Sequence, residues 1–173
     1  MATLESGRGF GLLAGIRRGM PSRVGRFVFE RGARSKAGFA RHGASGVRLT
    51  LNLLLDEHIW PGVASIIRAM LPLAKVESLH DFCGGRFMNC DDGIILRECQ
   101  RKKWILVTFD VNTIPAILSE MAVNQEEHAG VIFVSSKSFA QNDHSSLARA
   151  LVELACSEVD ADWTNRVMFL SKL

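Results

Sequence analysis

Residues 47–71 read VRLTLNLLLDEHIWPGVASIIRAML, an apolar run that breaks at Asp56-Glu57-His58 and resumes behind Pro61. A continuous apolar run ending in an acid has the pattern of a strand buried on both faces, as in a parallel sheet. Pro61 suits the first turn of a helix, where its missing N–H has no partner to lose, so a helix is expected over 61–71. Strand, acidic turn and covering helix make one βα unit.

The alternation continues to the end of the chain. LAKVESL (73–79) predicts a second strand, DFCGGRFMNC (81–90) a glycine-bearing loop, and DDGIILRECQRK (91–102) a helix with two acids in its first turn. WILVTFD (104–110) predicts a third strand ending in an acid, TIPAILSEMAV (113–123) a helix, and HAGVIFVSS (128–136) a fourth strand. HSSLARALVELACSEV (144–159) carries an apolar stripe at Leu147, Ala150, Leu151 and Leu154, and NRVMFL (165–170) supplies a last strand. The expected architecture is a three-layer α/β/α sandwich around a central parallel sheet, formed by residues 47–173.

The first 46 residues differ. They hold eight Arg and one Lys against two Glu, a net of +7, and ten of the fifteen glycines. The other 12 basic and 16 acidic residues leave 47–173 at −4. Without a period of 2 or 3.6, residues 1–46 cannot bury enough apolar surface to offset the entropy of ordering, and a disordered extension is expected. A phosphate-gripping basic arm and an organellar targeting segment are alternatives, while the lack of an apolar h-region argues against a secretory signal. A start at Val47, read from a GTG codon, is the expectation that makes these residues a leader.

With 47% hydrophobic and 23% charged residues the composition is that of an ordinary globular domain. No run approaches the roughly 18 apolar residues of a membrane span, so no membrane association is expected. The irregularly spaced Cys83, Cys90, Cys99 and Cys156 suggest a reduced, cytoplasmic chain and, with only H-x2-C at 80–83, no zinc site.

In an open parallel sheet, ligands bind beyond the carboxyl ends of the strands where strand order reverses. Asp56 and Asp110 each close an apolar strand, and Asp91-Asp92 opens a helix on the same rim. Carboxylates gathered there repel one another unless a cation lies between them, and hard oxygen donors suit Mg²⁺ or Mn²⁺. Phosphodiester hydrolysis is the matching chemistry. Asp56, Asp92 and Asp110 are the candidate catalytic and metal-binding residues, with Glu57, Asp91 and Asn112 as further candidate ligands. The alternatives are turn residues at Asp56 and Asp110, helix-cap or dipole roles at Asp91 and Asp92, solvated side chains at Glu57 and His58, and an Asx turn at Asn112. Thr108 is a candidate backbone or substrate contact. Arg97, Arg101, Lys102 and Lys103 form either an RNA-binding cluster or a solvated helix face.

LLLDEHIWPGVASIIRAML resembles the opening LLDEN-x-x-P-x-x-A-x-x-L-R of a bacterial PIN-like domain family related to the VapC-type toxin ribonucleases. The resemblance runs through DDGIILRECQRKKWILVTFD, similar to S-D-E-E-I-L…G-R-x-L-V-T-x-D, and through HAGVIFV, covering about residues 49–170. It implies a PIN-like fold and a Mg²⁺- or Mn²⁺-dependent endoribonuclease acting on single-stranded RNA, the toxin of a toxin–antitoxin pair. Asp56 then matches the first-strand acid, Asp92 the helix-start acid and Asp110 the acid of T-x-D. The implied partners are RNA, a small antitoxin protein and a second copy of the chain. Many relatives carry D-x-D after the threonine, where this chain has TFDVN and Asn112 takes the second acidic place. A neutral amide binds a metal more weakly than a carboxylate, which sets activity against a catalytically silent PIN-like binding module. A third alternative is a phosphoacceptor receiver-like signalling domain, to which FDVNTIP invites comparison. The long stretch from Asp56 to Asp110 and the placing of Lys137 directly after the fourth strand count against it.

Overall fold

The computed structural model describes residues 51–140 and 142–172, so the basic extension 1–46 and the beginning of the first expected strand lie outside the described residues. The nine expected strands and helices are present in order among the described residues: β1 (Asn52–Leu55), α1 (Gly62–Met70), β2 (Lys75–Ser78), α2 (Asp92–Lys102), β3 (Ile105–Thr108), α3 (Ile114–Val123), β4 (Val131–Val134), α4 (His144–Ser157) and β5 (Val167–Leu170), with a connecting loop at 79–91. That loop holds a short 3₁₀ turn, Phe82–Gly85, in which Cys83 and Gly84 have φ of 53° and 71°. The helix expected from Asp91 starts one residue later, because Asp91 is extended and caps it.

All four strand pairings are parallel, and the order is β2-β1-β3-β4-β5. This is one of the common doubly wound orders. The strands alternate side chains between two cores. Leu53 and Leu55 of β1, Ile105 and Val107 of β3, and Ile132 and Val134 of β4 enter one core with Val63, Ala64 and Ile67 of α1 and Leu147, Ala148 and Leu151 of α4. Leu54, Leu106, Val131 and Phe133 face the other, with Ile95, Leu96 and Cys99 of α2 and Ile114 and Met121 of α3. Both faces are thus covered, which is why β1, β3 and β4 read as unbroken apolar runs.

The strand order and the helix positions together fix the relative hand of the crossovers. α1 leads from β1 outward to β2 on one face, whereas α2 and α3 lead in the opposite direction on the other face. These three units share one hand. α4 moves from β4 to β5 in the same direction as α3 but lies on the face of α1, so the last crossover has the opposite hand, against a strong general preference for one hand. Coverage explains the exception. α1 alone would leave Val107, Ile132 and Val134 without a helix above them, and α4 packs against α1 to close that face.

Two consequences bear on function. Because β1 has β2 on one side and β3 on the other, the chain leaves β1 and β2 toward opposite faces, and a crevice opens beyond the carboxyl ends of β1 and β3. No helix among the described residues is long and apolar enough to cross a membrane.

Candidate active site

Asp56 follows β1 directly and is 8% exposed, an unusual depth for a carboxylate. Its backbone N–H donates to the Val107 carbonyl (3.0 Å), extending the ladder with β3 by one residue and fixing the side chain at the sheet edge. The fully buried Thr108 hydroxyl donates to Asp56 Oδ2 (2.6 Å), and the Glu57 N–H donates to Oδ1 (2.8 Å). The same hydroxyl accepts from the Asp110 N–H (2.9 Å). One threonine therefore joins the ends of β1 and β3 and sets the positions of two acids.

Asp110 turns the chain toward α3. Its Oδ1 accepts from the N–H groups of Asn112 (2.7 Å) and Thr113 (2.9 Å), which do the work of a helix cap, since Thr113 makes no side-chain cap of its own. Burial pushes the Asp110 carboxyl up, but the Thr113 and Asn112 donors, with His58 nearby, outweigh it and hold the group below its ordinary value.

Asp91 and Asp92 have divided roles. Asp91 Oδ1 accepts from the Gly93 N–H (2.8 Å) as the cap of α2. A Cβ at Gly93 would lie 2.9 Å from that oxygen, so a glycine leaves the cap its room. Asp92 takes no hydrogen bond among the described residues and faces its neighbours by charge alone. Burial, then the negative charges of Asp56, Asp110, Asp91 and Glu57 in that order, hold its carboxyl above the ordinary value.

These side chains surround a cleft of about 330 Å³ lined by Asp56, Glu57, His58, Asn89, Cys90, Asp91, Asp92, Ile95 and Asp110. Among the described residues, five carboxylates and one histidine line it, and no lysine or arginine does. His58 Nδ1 stands 3.6 Å from Asp56 Oδ2. Glu57 ties the β1–α1 turn to the 79–91 loop, accepting from the Asn89 N–H at 3.5 Å through Oε2. Among the described residues no group of three or more His, Cys, Asp or Glu has ready-made metal-site geometry. The cleft offers five carboxylates, oxygen donors of the kind that suit a hard divalent ion, with Asp56 and Asp110 oriented by hydrogen bonds and Asp92 otherwise unengaged.

The remaining candidates lie elsewhere. Asn112 is exposed and does not line the cleft; its N–H serves the turn at Asp110, which is the Asx-turn alternative. Arg97 pairs with Glu126 (2.8 Å), and Arg101 forms a two-pronged pair with Glu98 (2.8 and 2.6 Å). The Lys102 ammonium donates to Cys83 Sγ (2.8 Å) and lies 5.2 Å from the centre of the Phe82 ring. None of the three lines the cleft.

Cleft residues that the motif pattern did not single out are Asn89, Cys90 and Ile95. The available signal was Asn89, a residue type that tolerates the left-handed conformation it adopts here (φ 58°) one step ahead of Cys90 and the acidic pair. Exposed cations absent from the candidate cluster also share this side of the sheet: Arg86 precedes α2, and Lys137 follows β4. Comparison of the chain with protein-family models, with curated proteins and with solved structures finds no match.

Proposed function

We propose that the chain is a PIN-like, metal-dependent endoribonuclease that hydrolyses single-stranded RNA, with Asp56, Asp92 and Asp110 holding Mg²⁺ or Mn²⁺. The observation that carries this reading is the convergence of carboxylates from the end of β1, the start of α2 and the end of β3 on one cleft, with no lysine or arginine among the described residues in its lining. A group of acids with no opposite charge is unfavourable for the fold alone and useful for binding a cation. A divalent ion so held would activate water and offset the charge of a phosphodiester.

The chain's own residues have separate tasks in this scheme. Thr108 and the Glu57 N–H fix the Asp56 carboxylate, and the Asn112 and Thr113 N–H groups fix Asp110. Asp92, whose proton affinity is raised, is the group that gains most from a bound cation. Arg86 and Lys137, exposed on the same side, are better placed to meet RNA phosphates than Arg97 and Arg101, which are paired with acids. A toxin role, with a small antitoxin and a second copy of the chain as partners, belongs to the same proposal.

The test is incubation of single-stranded RNA with Mn²⁺ and either the wild-type protein or the Asp56→Asn and Asp110→Asn variants. Each substitution is expected to slow cleavage by at least about 10²-fold, as loss of a group that supports developing charge does. Equal cleavage by all three, or cleavage by none, removes the nuclease reading. The strand order favours a second reading, since receiver-like phosphoacceptor folds share β2-β1-β3-β4-β5 and place an acid where Asp110 stands. A stable acyl phosphate on Asp110 after acetyl phosphate treatment would favour it.

A further inference from the structure

Trp60 is a bulky apolar side chain left 53% exposed, four residues beyond Asp56 and in the same β1–α1 connection. The turn is tight: the Ile59 N–H donates to the Asp56 carbonyl (2.9 Å), and the Val63 N–H to the Trp60 carbonyl (3.0 Å). Four residues of extended chain span at most about 14 Å, so Trp60 belongs to the same rim as the acidic cleft, although its indole is not part of the cleft lining.

The ring is held in place. A Cβ on Gly62 would lie 2.1 Å from Trp60 Cη2 and 2.2 Å from Cζ3, so the indole rests where any side chain at 62 would stand. Glycine in a helix costs about 1 kcal/mol relative to alanine, and here it opens the seat for the ring. On another side, the His144 ring at the start of α4 stacks at 4.7 Å between centroids, tilted by 35°. The indole is thus positioned by Gly62 and His144 and still half open to solvent.

We propose that Trp60 is a base-stacking platform: an unpaired base of a single-stranded nucleic acid lies on the exposed indole while the adjoining phosphates reach the cleft. Unpaired bases are bound by aromatic side chains in this way, and a stack tolerates any base because every base has a π face. Arg86 and Lys137, exposed on the same side of the sheet, are the cations available to a phosphate backbone. The phosphate placement rests on the ribonuclease reading; the stacking does not.

The experiment measures binding of a labelled single-stranded RNA, and of an abasic ribose-phosphate strand of equal length, to the full chain without divalent ions. Trp60→Ala is expected to weaken binding of the base-bearing strand by about 5- to 150-fold and leave the abasic strand unchanged, while Trp60→Phe retains most of the affinity. Gly62→Ala, which keeps the indole but displaces it, is expected to lose the same base-dependent part. Unaltered binding of the base-bearing strand by Trp60→Ala overturns the platform and turns the exposed ring toward a protein partner. Equal losses for both strands overturn it too, as does a wild type that prefers neither. Base-dependent binding without Mn²⁺-driven cleavage leaves the platform and removes the nuclease. Asp56- and Asp110-dependent cleavage with Trp60→Ala binding like wild type does the reverse.

Discussion

The two ends of the sheet bury polar groups by opposite rules. At the amino ends of β4 and β5, the His128 N–H donates to Asn165 Oδ1 (2.9 Å), the Asn165 N–H donates to the His128 carbonyl (2.9 Å), and the Gly130 N–H donates to His128 Nδ1 (3.2 Å). His128 is 7% exposed, and burial holds its imidazole below the ordinary value, in the neutral form. These groups answer one another, although the Trp163 indole Nε1 at the same end is buried without a hydrogen-bond partner among the described residues. At the carboxyl ends, Asp56, Asp92 and Asp110 face one another, and among the described residues no lysine or arginine lines the cleft with them. The lower end is tied together by hydrogen bonds, and the upper end carries a charge cost.

The largest effect that would sharpen this contrast is at Trp163, 5% exposed beneath the sheet and stacked under Arg166 at 4.6 Å. Trp163→Ala is expected to lower stability by about 3–5 kcal/mol, read from the denaturant midpoint, with RNA binding per folded molecule unchanged. A loss of binding without a loss of stability would break the division.

A smaller effect separates the ends by pH. A neutral buried histidine favours the fold above the ordinary value of 6.5 and loses that contribution as pH falls from 6.5 through its lowered folded value. His128→Gln is expected to flatten the fall of the melting temperature below pH 6.5. Asp92 acts in the other direction: its raised carboxyl costs stability when ionised, and the cost is relieved as pH falls through its raised value toward 3.8. The smallest effect follows from this. Without metal, Asp92→Asn is expected to raise stability by a few tenths of a kcal/mol, since solvent screens a half-open group, while removing Mn²⁺-dependent cleavage. Destabilisation by Asp92→Asn would show that the upper end also serves the fold.

Much of this was legible in the chain. The short apolar runs of β1, β3 and β4 declared a doubly covered parallel sheet, and Pro61 and the Asp91-Asp92 pair marked helix starts to within a residue. Asp56, Asp92 and Asp110 followed from topology, because parallel strands bring their carboxyl ends to one side. The strand order and the reversed hand of the last crossover were not legible, since both depend on which helix covers which face. Nor could local reading pair Arg97 with Glu126 or place His144 against Trp60, contacts made only after the sheet has formed. The choice between Asp91 and Asp92 came from motif spacing, and its physical reason, one acid capping and one free to face the cleft, appears only in the folded turn.

The reversed last crossover also sets an order of assembly. During synthesis α2 and α3 can close their face while α4 is still to come, because every fully buried residue of that core lies before residue 135 and only β5 adds to it later, through Val167. The face of α1 must wait for residues 144–157, keeping Val63, Ile67, Val107 and Ile132 uncovered until the end. His144 arrives with that helix, so the seat of Trp60 is completed by the same late docking that shuts the core.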